Sequence, residues 1–460
     1  MSTLFEVTKN DLAILIKREI KSKEKSLREI IVTIYSPEAA FDFSKKTGLI
    51  VTQKTKKIKY PSHSLIEVKP VLLKDHRKPA KNGNELWRKY WRNMPHFDNE
   101  KKDPFLKFIV TFESDKDAED FGDKVNQKIT YKTKNINHPA SPRLDLTKIG
   151  WYGDWEEKHM PKYPLYIVSK GRYDMRLTAD SLENMKVPYY IVVEEHEYEL
   201  YKAKINPEYG TAIILDPNYK KTYDTFDDLG LTRSTGPGPA RNFAWDHSAS
   251  LGFDRHWVLD DNIRGFFRLH NNMRLGVWNG AGFRACEDFT DRFTNTPVTG
   301  LQYRGFAPAN EKKPAFSFNT RIYSCLLIEN TCKHKWRGRY NEDTDLSLRV
   351  LKDGDCTIEF FFYLQGKIGT QLIKGGNTDE FYAVEDTEDA IFKGTSNKSE
   401  MLFRMHPDVT KNVWRYGRWH HFVDYLPFKD NRLKYKEGLK IPEGINEYGL
   451  KLIKEDYYWK

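Results

Sequence analysis

The chain has 460 residues, 39% hydrophobic and 14% aromatic, which excludes wholesale disorder and leaves room for roughly two to three domains. A formal net charge of +10 favours a polyanionic partner, with nucleic acid the first candidate. The four cysteines, Cys286, Cys325, Cys332 and Cys356, show no CxxC spacing and read as reduced thiols rather than a disulfide framework or a zinc site.

The opening residues, MSTLFEVTKNDLAILIKREIKSKEK, lack the apolar core of a signal peptide. No stretch approaches the ~20 apolar residues of a membrane span, so a soluble, cytoplasmic protein is expected. Two segments then align without a gap, IIVTIYSPEAAFDFSKKTGLIVTQKTKKIKYP at 30–61 and FIVTFESDKDAEDFGDKVNQKITYKTKNINHP at 108–139. Identical pairs include Val32/Val110, Ser36/Ser114, Ala40/Ala118, Phe43/Phe121 and Thr55/Thr133. Each copy predicts a β-branched strand, a Ser-capped amphipathic helix and a second extended segment before a proline, which is a βαβ module. Residues 1–150 are therefore expected to form an accessory α+β domain of duplicated βαβ units. Between the copies, NELWRKYWRNMPHF (84–97) sets Trp87 and Trp91 four residues apart beside Arg88, Lys89 and Arg92. That pattern fits a surface helix anchored by tryptophans, or a contact in which bases stack on aromatics and phosphates meet cations. The duplicated KTK tripeptides, with Lys54, Lys56, Lys132 and Lys134, suit the second role too.

From residue 160 to 425 strands and helices alternate, predicting a Rossmann-type, mostly parallel α/β sheet. PLYIVSKGRYD (164–174) breaks at Ser169-Lys170-Gly171-Arg172, with Asp174 just beyond. VPYYIVVEEHEYELY (187–201) carries Glu194 and Glu195 at its strand end, and TAIILDP (211–217) ends on Asp216. GPGPARNFAWDHSASLG (236–252) is a Gly/Pro loop opening a helix, followed at once by Arg241 and Asn242. It fails the G-x-G-x-x-G fingerprint, and no Walker A motif appears. HWVLDD (256–261) is the next strand and runs into Asn262. Carboxylates are costly to bury, so Asp260-Asp261-Asn262 reads either as a metal-holding cluster or as a cap or Asx turn. Ligands of such sheets sit beyond the carboxyl ends of the strands, where all these polar clusters fall.

GRYNEDTDLSLRVLKDG (338–354) opens a predicted helix on Asn341, Glu342, Asp343 and Asp345. Acids there suit the helix dipole, and equally suit a general base. NVWRYGRWHHF (412–422), with Trp414, Arg415, Tyr416, Arg418 and Trp419, reads as a nucleic-acid groove or a C-terminal core helix. Residues 426–460 are expected to be a tail.

The motifs IVSKGRYD, GPGPARNFAWDHS, WVLDDNI, GRYNEDTDLSLRVL and GTSNKSEMLFRMHPDV with GRWHHF, in this order over roughly 163–425, resemble the TET/JBP-associated glycosyltransferases of GT-A type. Within that family they are similar to T-even-type phage enzymes that add glucose or arabinose to hydroxymethylcytosine in DNA. The resemblance implies a UDP-sugar donor, a Mn²⁺ or Mg²⁺ ion, double-stranded DNA with modified cytosine as partner, and an infected bacterial cytoplasm as setting. It implies that Asp260, Asp261, Asn262 and His406 hold the metal, with Asn262 a departure from the usual DxD pattern. Ser169, Lys170, Gly171, Arg172, Asp174, Glu194, Asp216, Arg241, Asn242 and Asp260 would meet the sugar nucleotide. Asp343, in preference to Glu342, would be the base, and residues 374–383 would line the acceptor cleft. Lys54, Lys56, Trp87, Arg88, Trp91, Arg92, Lys132, Lys134, Trp414, Arg415 and Arg418 are the expected DNA contacts. The rival readings are a DNA-binding protein with an inactive transferase-like domain, and a transferase acting on a non-DNA acceptor.

Overall fold

A computed structural model describes residues 28–62, 71–74, 86–100, 103–140, 149–309, 311–369, 395–415 and 417–454. The chain divides into two compact units, one of Met1–Gly83 with Lys101–Leu144, the other of Asn84–Glu100 with Asp145–Lys460. No helix among the described residues is long and apolar enough to cross a membrane.

The first unit holds the repeat. Its first copy gives β1 (Arg28–Ile34), α1 (Pro37–Thr47) and β2 (Lys57–Tyr60). A short helix, α2 (Leu86–Tyr90), follows and belongs to the second unit. The second copy gives β3 (Leu106–Phe112), α3 (Asp115–Lys124) and β4 (Asn135–His138). The duplicated serines cap both helices. Ser36 Oγ accepts from Ala39 N at 3.1 Å, and Ser114 completes a capping box with Asp117. The duplicated threonines close matching turns, each first amide donating to the Thr hydroxyl three residues on at 2.9 Å. Phe43, Phe108, Phe112 and Phe121 fill the core, each stabilising the unit by about 1.5–3 kcal/mol.

The strand order is β2-β3-β1-β4. β1 runs antiparallel to β3 with Ile31 opposite Ile109, while β2 pairs parallel with β3 and β4 parallel with β1. This corrects the expected βαβ modules: neither copy pairs its own two strands, and each lends its second strand to the other copy. One copy alone would leave both of its strands unpaired, so the duplication is what closes the sheet.

After α2, the second unit resumes with β5 (Ile149–Tyr152), which pairs with the last strand, β18 (Lys451–Lys454). Between them come β6 (Leu165–Val168), α4 (Leu177–Asn184), β7 (Tyr189–Val193), α5 (Tyr198–Lys202), β8 (Gly210–Ile214), α6 (Asn218–Lys221), α7 (Gly238–Ser250) and β9 (Arg255–Asp260). β10 (Ile263–His270), β11 (Met273–Gly276), α8 (Ala281–Thr290), β12 (Val298–Tyr303), β13 (Phe316–Phe318) and β14 (Cys325–Glu329) follow. α9 (Glu342–Lys352), β15 (Thr357–Lys367), α10 (Thr395–Met405), β16 (Thr410–Arg415) and β17 (Arg418–Val423) complete the series.

The main sheet is ordered β11-β10-β15-β12-β14-β9-β6-β7-β8, with β13 on β15. β8, β7, β6 and β9 are parallel, but β9–β14, β14–β12, β15–β10, β10–β11 and β13–β15 are antiparallel. The sheet is therefore mixed rather than mostly parallel. Its central strands read as unbroken apolar runs because both faces are covered. In β6, Leu165 and Ile167 enter one core while Tyr166 and Val168 enter the other. The stretch expected to be a tail is stitched in by β18 and by buried Phe428, Leu433, Tyr448 and Leu450.

Candidate active site

From β6 the chain moves outward to β7 and β8, then returns to place β9 on the other side of β6. Such a reversal of strand order opens a crevice at the carboxyl ends, a usual ligand position. Val168 lies level with Asp260, so Ser169–Arg172 and Asp260–Asn262 line this switch point.

On the β6 side, Gly171 takes a positive φ of 66° and its N–H donates to the Glu197 carboxylate at 2.8 Å. The turn aims Arg172 back at Asp261, whose other oxygen accepts from Ser169 Oγ at 2.8 Å. Tyr201 OH receives the Arg172 N–H at 3.0 Å and meets Ser169 Oγ at 2.7 Å. Burial raises the Asp261 carboxyl above the usual range, against the opposing pull of Arg172 and Ser169.

On the β9 side, Asp260 accepts from Arg241 Nη2 at 2.7 Å and from Lys367 Nζ at 2.5 Å. Burial would raise its carboxyl, but Lys367 and Arg241 outweigh burial and hold it below the usual range. Arg241, 2% exposed, reaches Glu342 Oε1 at 2.8 Å through its other nitrogen and lies 4.6 Å over the Trp336 ring. Lys367, the last residue of β15, also donates to Ser324 Oγ at 2.7 Å.

Asn341, in the left-handed region at φ 56°, turns the chain into α9 and anchors to Lys398 O at 2.6 Å. Glu342 and Asp343 thus open the helix beside Arg241 and Asp260. Asp343 is only half-buried. Burial and then Glu342 raise its carboxyl well above the usual range, against Arg241. The cluster so joins Arg172, Arg241 and Lys367 to Asp260, Asp261, Glu342 and Asp343. Its carboxylates are pushed in opposite directions, Asp260 down by its two cations and Asp343 up by burial and Glu342.

Residues 163–376 match the family profile described as TET-Associated Glycosyltransferase. The chain carries a TET-associated glycosyltransferase domain. The matched segment holds every residue of the cluster, from Ser169 to Lys367. No curated protein matches the chain.

Several expected roles in this glycosyltransferase domain change. His406 gives Nε2 to Asp345 Oδ1 at 2.9 Å, and Asp345 is further held by Arg337 and Arg349. Asp345 is two helical positions from Asp343 and so faces another way. His406 is thus a buried structural partner and not a ligand beside Asp260. Asn262 donates to Ile368 O at 2.8 Å, while its Oδ1 is buried without a partner. Both oxygens of Asp260 and of Asp261 already meet protein donors. A hard divalent ion needs several free oxygens, and this donor set does not fit one. Among the described residues, no group of three or more His, Cys, Asp or Glu side chains is placed to hold a metal ion.

Asn242 brackets Trp336 through both its amide atoms, at 3.1 and 3.0 Å, and so fixes the ring under Arg241 rather than facing a ligand. Glu194 pairs with Lys220, exposed Asp174 pairs with Lys204, and Asp216 accepts from Asn218 N in an Asx turn. None of the three joins the cluster. Lys170 stays half-buried on the Ser169–Arg172 loop.

Of the expected DNA contacts, Trp91 is a core residue, packed on Phe289 and Phe316 with its N–H donated to Pro95 O at 2.8 Å. It is too enclosed to stack on a base. Trp87 is half-buried edge-on to Phe97 with exposed Arg88 over its ring, and Arg92 is exposed. Lys54, Lys56, Lys132 and Lys134 are exposed in the two Thr-closed turns of the first unit. The 412–422 stretch is not a helix but a hairpin, with Gly417 (φ 72°) in its turn and Trp414 paired with Trp419, Arg415 with Arg418. Residues 374–383 and Tyr416 lie outside the described residues.

Lys367, Ser324, Tyr201 and Trp336 escaped sequence reasoning. The one available signal was a lysine closing the apolar run TIEFFFYLQGK.

Proposed function

We propose that this chain transfers a sugar, glucose or arabinose, from a UDP-sugar to the hydroxymethyl group of hydroxymethylcytosine in phage DNA. The observation that carries the reading is the opposed carboxylate pair at the switch point, inside the segment that matches the glycosyltransferase family. Arg241 and Lys367 supply positive charge where a departing diphosphate would collect negative charge. Asp343, opening a helix and partly open to solvent, accepts the proton of the acceptor hydroxyl. As that O–H bond breaks, the oxygen bonds to the anomeric carbon, and the carbon–oxygen bond to the diphosphate breaks to release UDP. The Asp261–Arg172–Ser169 set fixes the β6 loop that would receive the nucleoside.

The DNA side of the reading rests on charge and on the β16–β17 hairpin. Trp414 and Trp419 are 49% and 40% exposed, with rings 5.3 Å apart, and Lys411 and Arg415 flank them. Exposed aromatics among cations suit an element that unstacks or stacks bases. Enzymes that modify a base within a duplex flip it out, at a cost of a few kcal/mol.

The test is mass spectrometry of nucleosides after hydroxymethylcytosine DNA is incubated with the full chain and single UDP-sugars. A gain of one hexose or one pentose, lost with Asp343→Asn, is the expected result. DNA binding with no mass gain from any donor would sink the reading in favour of an inactive DNA-binding protein.

A further inference from the structure

The cations around Asp260 stand where a metal was expected. A divalent ion bound there would have to displace Lys367 Nζ, 2.5 Å from one oxygen, and Arg241 Nη2, 2.7 Å from the other. Placing a double charge beside both cations instead is unfavourable in so buried a site. Neither cation is a loose surface group. The Lys367 side chain is 16% exposed and is tethered to Ser324, with the Tyr303 ring 5.7 Å away. Arg241 is clamped between Asp260, Glu342 and the face of Trp336.

We propose that Lys367 and Arg241 take the part of a divalent cation in this site, so that the donor diphosphate is held by side-chain charge. This rests on the sugar-nucleotide reading above and names the groups that would serve it. An ammonium has three N–H donors. Asp260 and Ser324 engage two, and a phosphate oxygen takes the third. Lysine binds phosphate as a point charge of this kind in other folds. Arg241 Nε is buried without a partner in the same cluster and adds a further donor. Asp260 becomes a positioning residue: its carboxylate fixes the two cations and does not itself meet the donor.

The experiment is calorimetric titration of the full chain with UDP, once in EDTA and once with Mn²⁺. Affinities within about threefold of each other are expected, less than ~1 kcal/mol apart on the binding scale. Lys367→Met should weaken UDP in both buffers by roughly 10- to 100-fold, the size of one charge-assisted hydrogen bond. Lys367→Arg should keep most of the affinity. UDP binding that requires Mn²⁺ overturns the proposal and leaves the donor reading standing, a result the unsubstituted chain gives whether or not the variants fold. Unchanged affinity in Lys367→Met also overturns it. UDP bound in neither buffer sinks the donor reading along with it.

Discussion

Asp343 and Asp260 are both aspartates of one cluster, yet their carboxyls move apart. Burial governs Asp343 with Glu342 adding to it, whereas Lys367 and Arg241 overcome burial at Asp260. A base must be deprotonated, so a raised carboxyl means activity is lost as pH falls through a value above the ordinary ~4 for aspartate. A kcat/KM profile should show that acid limb, and Asp343→Asn should lower kcat by roughly 10²- to 10⁴-fold. The same shift acts on stability with the opposite sign. A carboxyl raised in the folded state binds its proton more tightly there, so folding weakens as pH rises above the unfolded value. Asp343→Asn should therefore raise the Tm at pH 8 while lowering kcat, and calorimetry checks the Tm. A lower Tm would show that Asp343 is structural. Asp260 and Arg241 were legible in the sequence because one closes an apolar run and the other follows a Gly/Pro loop, and Asp343 because it opens a helix with an apolar face behind it. Lys367 was not, because it meets Asp260 only through a sheet pairing made 107 residues away. Asn242 was misassigned for a related reason: its neighbour in sequence faces the site, but its own amide turns to Trp336.

At the scale of elements, the β16–β17 hairpin is the feature whose shape the sequence concealed. Trp-Arg-Tyr-Gly-Arg-Trp satisfies helix and hairpin patterns alike until Gly417 adopts its positive φ. Its base is anchored by Val409 and Val423, which share a cluster with Leu348 and Leu351 of α9. The helix that opens on Glu342 and Asp343 thus shares an apolar cluster with the base of the hairpin. Trp414→Ala should weaken duplex binding by about 1–3 kcal/mol per stacked base lost. Arg415→Ala should instead reduce the slope of log affinity against log salt by about 1, as for one phosphate contact. Salt-titrated fluorescence anisotropy separates the two, and no change in either would leave the hairpin without a DNA role. The repeat was plain in the sequence because caps, turns and core phenylalanines are local. The strand exchange was not, since β2 and β4 have the same residue pattern whichever copy they pair with. Trp91 shows the limit of residue type: one aromatic can stack on a base or fill a core, and burial decides.

The whole molecule separates into two units, and its tryptophans report on only one of them. All 11 lie in the segments Asn84–Glu100 and Asp145–Lys460, none in the repeat unit. The repeat unit has its own core around Phe43, Phe108, Phe112 and Phe121, and the larger unit has three further clusters. Units with separate cores unfold as separate cooperative transitions when few contacts cross between them. Phe121→Ala should cost the repeat unit about 3–5 kcal/mol by emptying a packed site. In urea, the early part of the far-UV dichroism transition should then move to lower denaturant while the tryptophan fluorescence midpoint stays in place. UDP should act in reverse. At 100 times its Kd it should stabilise the larger unit by about 2.7 kcal/mol and shift the tryptophan midpoint alone. If Phe121→Ala drags the tryptophan transition with it, the two units fold as one, and the accessory role given to the repeat gives way to a structural one.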